Sequence, residues 1–231
     1  MTVALPGPVL RGGDLADRPE DWSARTVSWA PGRVSQWLTD EVTTPTGQTM
    51  VRDWLVHPGA VAIMALDDRN RVAVVAQYRH PVGWVCVEPP AGLLDLADEP
   101  ALTAAQRELA EEAQLAADDW RVLVDCFTSP GSSQESIRIF LARRLRPAAR
   151  PSGFVLADEE AEMKVGWVDL DEAVEAVFEG RLQSPTLVMG LLALAAARSA
   201  GRLDRLRPAQ SDWPARQTKA ARDRRWSAPP R

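Results

Sequence analysis

The stretch "RELAEEAQL", residues 107–115, packs three carboxylates into five positions. On a helix, at about 100° per residue, Glu108, Glu111 and Glu112 project to one side. Leu102, Ala105, Leu109 and Ala113 fall on another side, which can face a core. Like charges three or four positions apart repel by roughly 0.2–0.5 kcal/mol a pair. A solvated acidic face, with Arg107 as local relief, is one reading of this cluster. A site for a hard divalent cation is the other, because such ions take carboxylate oxygens and complete their shell with water and substrate phosphate. The helix starts near Pro100, which suits a first turn, or at Thr103, which with Gln106 makes a capping box; both starts stay open. It ends on Gln114, where glycine is the usual closing residue.

Upstream, "ARTVSWA", "RVSQWLTDEV" and "TMVRDWLVH" read as strands, with "TTPTGQ" as a turn. "GAVAIMALDD" and "RVAVVAQYR" are two more, joined by "DDRN", and their apolar runs point to burial on both faces. "VCVEPP" is a short strand that enters a loop, "AGLLDLADEP". Downstream, "WRVLVDCFTS" and "SIRIFLARRL" are strands around the loop "PGSSQE", and "RPAARPSGFVLADEEAE" is a long irregular connection. "MKVGWVDL" is a strand, "DEAVEAVFEG" a helix, and "SPTLVMGLLALAAARSAG" a longer helix that closes at Gly201. The pattern is α+β. It divides into an arm with strands over 1–55, a main domain over 56–201, and an extended basic tail over 202–231.

The 231 residues are 45% hydrophobic and 26% charged, with a net charge of −5. This is an ordinary globular composition, and the overall charge does not favour nucleic acid as a partner. No apolar run approaches the ~20 residues of a membrane span. The first 22 residues carry early acids and prolines and no basic segment before an apolar one, so no signal peptide is expected. Cys86 and Cys126 sit in apolar surroundings with no zinc spacing, as buried free thiols of a reducing cytoplasm would.

Gly92, Glu99, Arg107, Glu108, Leu109, Glu111, Glu112 and Leu115 together resemble the Nudix box, G-x5-E-x7-R-E-U-x-E-E-x-G-U, where U is a bulky aliphatic residue. Two departures occur. Six residues, not five, separate Gly92 from Glu99, and Gln114 replaces the second glycine. Gln114 costs about 1 kcal/mol if the left-handed geometry of that glycine is kept, so a penalty in stability or shape is expected, without loss of chemistry. "VAQYRHPVG", "SPGSSQE" and "LADEEAEM" further resemble the ADP-ribose pyrophosphatase branch, in its actinobacterial form, and the likeness runs over roughly residues 25–200.

The resemblance implies a Nudix fold: a mixed β-sheet sandwiched between helices, with an N-terminal antiparallel β arm that forms a homodimer. It implies Mg²⁺, with Mn²⁺ as an alternative ion, held by Glu108, Glu112, the Ala91 carbonyl and, in some arrangements, Glu111. Gly92, Glu99 and Arg107 brace the motif, the last two as an ion pair. Arg52, Arg79 and Glu135 fall on substrate-binding positions. Glu159 aligns with the general base, with Glu160 nearly equal to it and Glu111 as a further catalytic carboxylate. Each has a plainer reading. Arg79 could cap a strand end, Arg52 could be a surface cation, Glu135 could hold its loop, and the run from Asp158 could be a solvated loop. His57 and His80 read as structural or surface residues.

The implied activity is Mg²⁺-dependent hydrolysis of the pyrophosphate of ADP-ribose, or a related ADP-sugar, to AMP and ribose 5-phosphate. The substrate is then a small nucleotide. Other nucleotide sugars or dinucleotides are alternative substrates. A Nudix protein that binds ADP-ribose without cleaving it is the competing class, and the retained box carboxylates weigh against it.

Overall fold

The computed structural model describes residues 17, 18, 20, 22–96, 98–151 and 162–217. The chain first forms an antiparallel three-stranded arm: β1 (Ser23–Pro31), β2 (Gln36–Thr43) and β3 (Thr49–Val56). One buried carboxylate ties the three strands together. Asp40 on β2 accepts from Thr26 Oγ1 of β1 at 2.9 Å and from Trp54 Nε1 of β3 at 2.8 Å. The arm keeps Trp29, Trp37 and Val51 exposed. It joins the main domain through Leu55, whose N–H donates to the Ser132 carbonyl at 2.8 Å.

The main domain begins with β4 (Ala60–Ala65), β5 (Arg71–Arg79), β6 (Trp84–Glu88) and β7 (Ala91–Leu93), followed by α1 (Ala101–Ala113). Then come β8 (Leu115–Phe127), β9 (Ser136–Pro147), β10 (Lys164–Asp169), α2 (Leu170–Phe178), α3 (Pro185–Ser199) and β11 (Arg207–Pro208). A five-stranded sheet runs β11-β8-β9-β4-β7 and a three-stranded one runs β10-β5-β6. Within the larger sheet β4 and β9 are parallel and the other pairs antiparallel, so the sheet is mixed.

All six residues of β4 are buried, as its unbroken apolar run requires. Alternate residues serve opposite cores. Ala60, Ala62 and Met64 pack with Leu187, Leu191 and Leu194 of α3, while Val61, Ile63 and Ala65 pack with Ala104, Ala105 and Leu109 of α1. The larger sheet is thus sandwiched between α1 and the α2–α3 pair, the α+β Nudix architecture implied by the box.

Four local expectations are revised. Ala91–Leu93 is a strand and not loop, because it pairs with β4. Pro100 is the N-cap of α1, with no side-chain cap bond, and Thr103 lies inside the helix. β8 starts at Leu115, five residues before Trp120; the polar "DD" within it fits a strand because Asp119 faces Arg143 of β9, with an ion pair of 2.6 Å. Residues 203–217 are not an extended tail. A short 3₁₀ turn at Leu203–Arg205 leads to β11 on the edge of β8, and Ala209 and Trp213 are buried in the α1-facing core. Arg138 holds this segment by donating to the Ser211 and Asp212 carbonyls at 2.6 and 2.9 Å, with its guanidinium 4.9 Å from the Trp213 ring centre. Arginine and tryptophan, which look like tail composition, are here a buried clasp.

Candidate functional site

The site is built where β7 turns into α1. Arg107 reaches back from the helix to Glu99, donating from Nε and Nη2 to its two carboxylate oxygens at 3.0 Å each. Its Nη1 donates to Glu108 Oε1 at 2.7 Å and to Glu111 Oε2 at 2.8 Å. One planar guanidinium therefore grips three carboxylates, which a point-like ammonium could not do with the same geometry. The bonds to Glu99, with the charges of Glu108 and Glu111, outweigh burial and raise the Arg107 pKa further above its ordinary value. The like charges of Glu108 and Glu111 are thus relieved by Nη1 of Arg107, whose Nε and Nη2 form a bidentate ion pair with Glu99 of the loop.

The strand supplies the other wall. Glu112, 4% exposed, accepts from the Ala91 N–H at 2.9 Å. Gly92 lies so close to Glu108 that a Cβ on it would fall 2.0 Å from the Glu108 carboxyl. Glycine is required here for close approach, and this cradle presses the Glu108 carboxylate against the β7 backbone. Among the described residues, no three acidic, histidine or cysteine side chains are already gathered on one point. The donor types still suit a hard divalent ion, since Glu108 and Glu112 both lie against the Ala91–Gly92 backbone and Glu111 shares the Arg107 guanidinium with Glu108.

The loop between Gly92 and Glu99 carries a left-handed residue. Asp98 has φ 60°, and the Glu99 N–H donates to the Leu96 carbonyl at 3.4 Å. Gln114 closes α1 and keeps the left-handed conformation of the glycine it replaces, with φ 54° and ψ 40°. Its N–H donates to the Leu109 carbonyl, and its own carbonyl accepts from Ala148 at 2.8 Å.

Arg79, at the end of β5, is held by Glu88 of β6, with two contacts of 3.1 Å from Nε. Burial works against the charge on Arg79, but Glu88 and the nearby Glu112 outweigh it and raise its pKa. Arg79 therefore lies within the electrostatic reach of the box. Gln77 donates to the same Glu88 at 3.1 Å. Glu88 escaped the sequence reading; the β5–β6 register, which pairs Gln77 with Cys86 and Arg79 with Trp84, is what brings these alternate residues onto one face.

Glu135 is held at the mouth of the 129–135 loop. It accepts from Thr128 Oγ1, and its Oε1 lies 3.3 Å from His57 Nδ1. His57 Nδ1, which accepts from the Gly59 N–H at 3.1 Å, therefore stands beside a carboxylate that sequence spacing did not reveal. Arg52 stays on the exposed face of the arm, where it donates to the Val51 carbonyl at 2.8 Å; the single chain does not bring it to the box. Glu159 and Glu160 lie outside the described residues. The segment leading to them is pinned to the end of α1: Arg150 Nε donates to the Glu111 carbonyl at 2.8 Å. Arg150 too was missed, since a cap donated from 39 positions away has no local signature.

The β4–β7 edge, the loop and the acidic helix define a Nudix domain, and a family model described as the NUDIX domain matches residues 56–187. The chain belongs to the Nudix family. It is 42% identical over 182 residues to an ADP-ribose pyrophosphatase of Mycobacterium tuberculosis, covering 79% of this chain and 86% of that one. A methanol dehydrogenase activator of Bacillus methanolicus is 34% identical, over 74% of this chain and 91% of its own. An ADP-ribose pyrophosphatase of Bacillus subtilis is also 34% identical, over 63% and 77%. A solved structure described as an ADP compounds hydrolase aligns with a TM-score of 0.65 at 19% identity, over 80% of this chain and 100% of that one, a likeness of fold.

Proposed function

We propose that the protein hydrolyses the pyrophosphate of ADP-ribose, or a related ADP-sugar, to AMP and ribose 5-phosphate in a Mg²⁺-dependent reaction. The single observation that carries this reading is the gripped box. Glu108, Glu111 and Glu112 are all retained; Glu108 and Glu112 are set against the Ala91–Gly92 backbone, and Arg107 holds Glu108 and Glu111. The relatives named ADP-ribose pyrophosphatase support the choice of substrate.

Glu108, Glu112 and the Ala91 carbonyl would hold the ion, with Glu111 joining in some arrangements. Bound there, Mg²⁺ would offset the pyrophosphate charge and make a water more acidic. Arg107 and Glu99 keep the carboxylates in position. Arg79 orients phosphate, exchanging part of its contact with Glu88 for the substrate. Glu135 lies on the substrate side, and Arg52 joins from the arm. Glu159 or Glu160 accepts the proton as the water oxygen bonds to one phosphorus. The bond from that phosphorus to the bridging oxygen breaks, and the second phosphate leaves with its electron pair.

Two homodimeric chains, paired through the Trp-rich arm and working in the cytoplasm, complete the reading. Two free thiols and the absence, among the described residues, of a helix long and apolar enough to cross a membrane accord with it. The test is AMP release from ADP-ribose with and without Mg²⁺. Release only with the ion is expected. Binding without release would favour a sensor, and faster release from another nucleoside diphosphate compound would move the substrate.

A further inference from the structure

We infer that Arg216 is a positioning residue for the loop that opens the Nudix box, an assignment that rests on the divalent-cation reading above. Arg216 comes from the C-terminal segment, 109 positions after Arg107 and far from any motif. Its Nη1 donates to the Pro58 carbonyl and its Nη2 to the Leu94 carbonyl, the latter at 3.1 Å. These carbonyls flank the point where β4 and β7 separate, just beyond the Ala60–Leu93 pair. Between them, the Leu94 N–H donates to the Gly59 carbonyl at 3.0 Å. Gly59 has φ +86°, and a Cβ there would stand 3.0 Å from the Ser136 carbonyl and 3.3 Å from Arg216 Nη1. The backbone is shaped to admit this guanidinium.

The consequence runs along a continuous set of contacts. Arg216 fixes the stem of the loop at Leu94, and the loop delivers Glu99. Glu99 grips Arg107, which grips Glu108 and Glu111. The loop is one residue longer than the box pattern, so its stem has more freedom to restrain. From below, Trp213 and Ala209 share a core with Leu94, Ala105 and Leu109, which seats loop and helix on the same support. An arginine suits the place because its planar fork spans two carbonyls; a lysine keeps the charge and loses the span.

The test is Mn²⁺ binding to the full chain, followed by electron paramagnetic resonance without substrate. It compares wild type, R216A and R216K, each alone and combined with E99Q. R216A is expected to weaken Mn²⁺ binding about tenfold, as losses of supporting partners around a metal site do. R216K should weaken it less, and it decides the matter if R216A does not fold. In the E99Q background the Arg216 change should have little further effect, because the loop has already lost its hold on Arg107. Unchanged Mn²⁺ affinity in both single variants overturns the inference. So does an effect that stays full in the E99Q background, which would mark Arg216 as a general stabiliser. If wild type itself binds no Mn²⁺, the cation reading fails first and the inference falls with it.

Discussion

Glu112 is buried, and its Oε2 accepts from the Ala91 N–H. Glu112→Gln keeps an oxygen to accept from the Ala91 N–H and removes only the charge. Its expected outcome is a loss of kcat by orders of magnitude with an unchanged thermal midpoint; near-normal turnover at saturating Mg²⁺ would remove Glu112 from the metal site. Gln114 offers a prediction of the opposite sign. Its left-handed backbone strains a side chain by about 1 kcal/mol, and glycine relieves this while gaining some freedom in the unfolded chain. Gln114→Gly should therefore raise stability to urea by a fraction of 1 kcal/mol or about that amount, and a loss of stability would show that the side chain has a role of its own. Cys126 differs again: burial first, then Asp125 and Glu135, push its thiol up to about 11 from 9.0. Because the folded pKa is the higher, the stability gained by keeping this thiol neutral is fully present below 9.0 and fades as pH rises towards about 11. Alkylation by iodoacetamide at pH 8 should be far slower at Cys126 than at a free thiol, and equal rates would contradict this burial.

At the scale of elements, most strands and the helices α1, α2 and α3 were legible, because their patterns are local. The apolar run of β4 and the apolar α3, which opens on Pro185, are read from neighbouring residues. The start of β8 was not, since Asp118 and Asp119 look like loop until Arg143 and Arg146 of β9 are set beside them. The same holds within the site. Gly92, Glu99, Arg107 and the three box glutamates stand in one motif and are found by spacing. Glu88, His57 and Arg150 become visible only through strand register or distant contacts. The late acidic loop carries its own prediction. Arg150 and Ala148 fasten its approach to the end of α1. Glu159→Gln should lower kcat by about 10²–10⁴-fold and leave Mg²⁺ affinity little changed. A silent Glu159→Gln beside a crippled Glu160→Gln shifts the base by one position, and two silent variants place it outside this loop.

The whole molecule leaves an unusual amount of large apolar side chain on its surface. Trp29, Trp37 and Val51 on the arm, and Trp84 and Val85 on β6, are all at least 40% exposed. Exposed apolar area of this kind marks association surfaces. A homodimer through the arm is therefore expected, and it would also explain why Arg52 finds no place at the box of its own chain. Light scattering at micromolar concentration checks this, and a fully active monomer would refute it. Dimerisation, like the placement of the C-terminal clasp, is poorly legible in sequence because it depends on surfaces meeting across hundreds of ångströms² and not on a local pattern.

The double service of β4 also orders events in time during synthesis. Its α3-facing side can be covered once residues up to about 199 have emerged from the ribosome, but its α1-facing side still lacks Ala209 and Trp213. Chains emerge at about 5–20 residues per second, so this interval is brief, yet it falls on one side of the sheet alone. The helix that carries the acidic cluster is made early and seated late. A nascent chain therefore holds its box carboxylates on an unsealed support until Ala209 and Trp213 have been added.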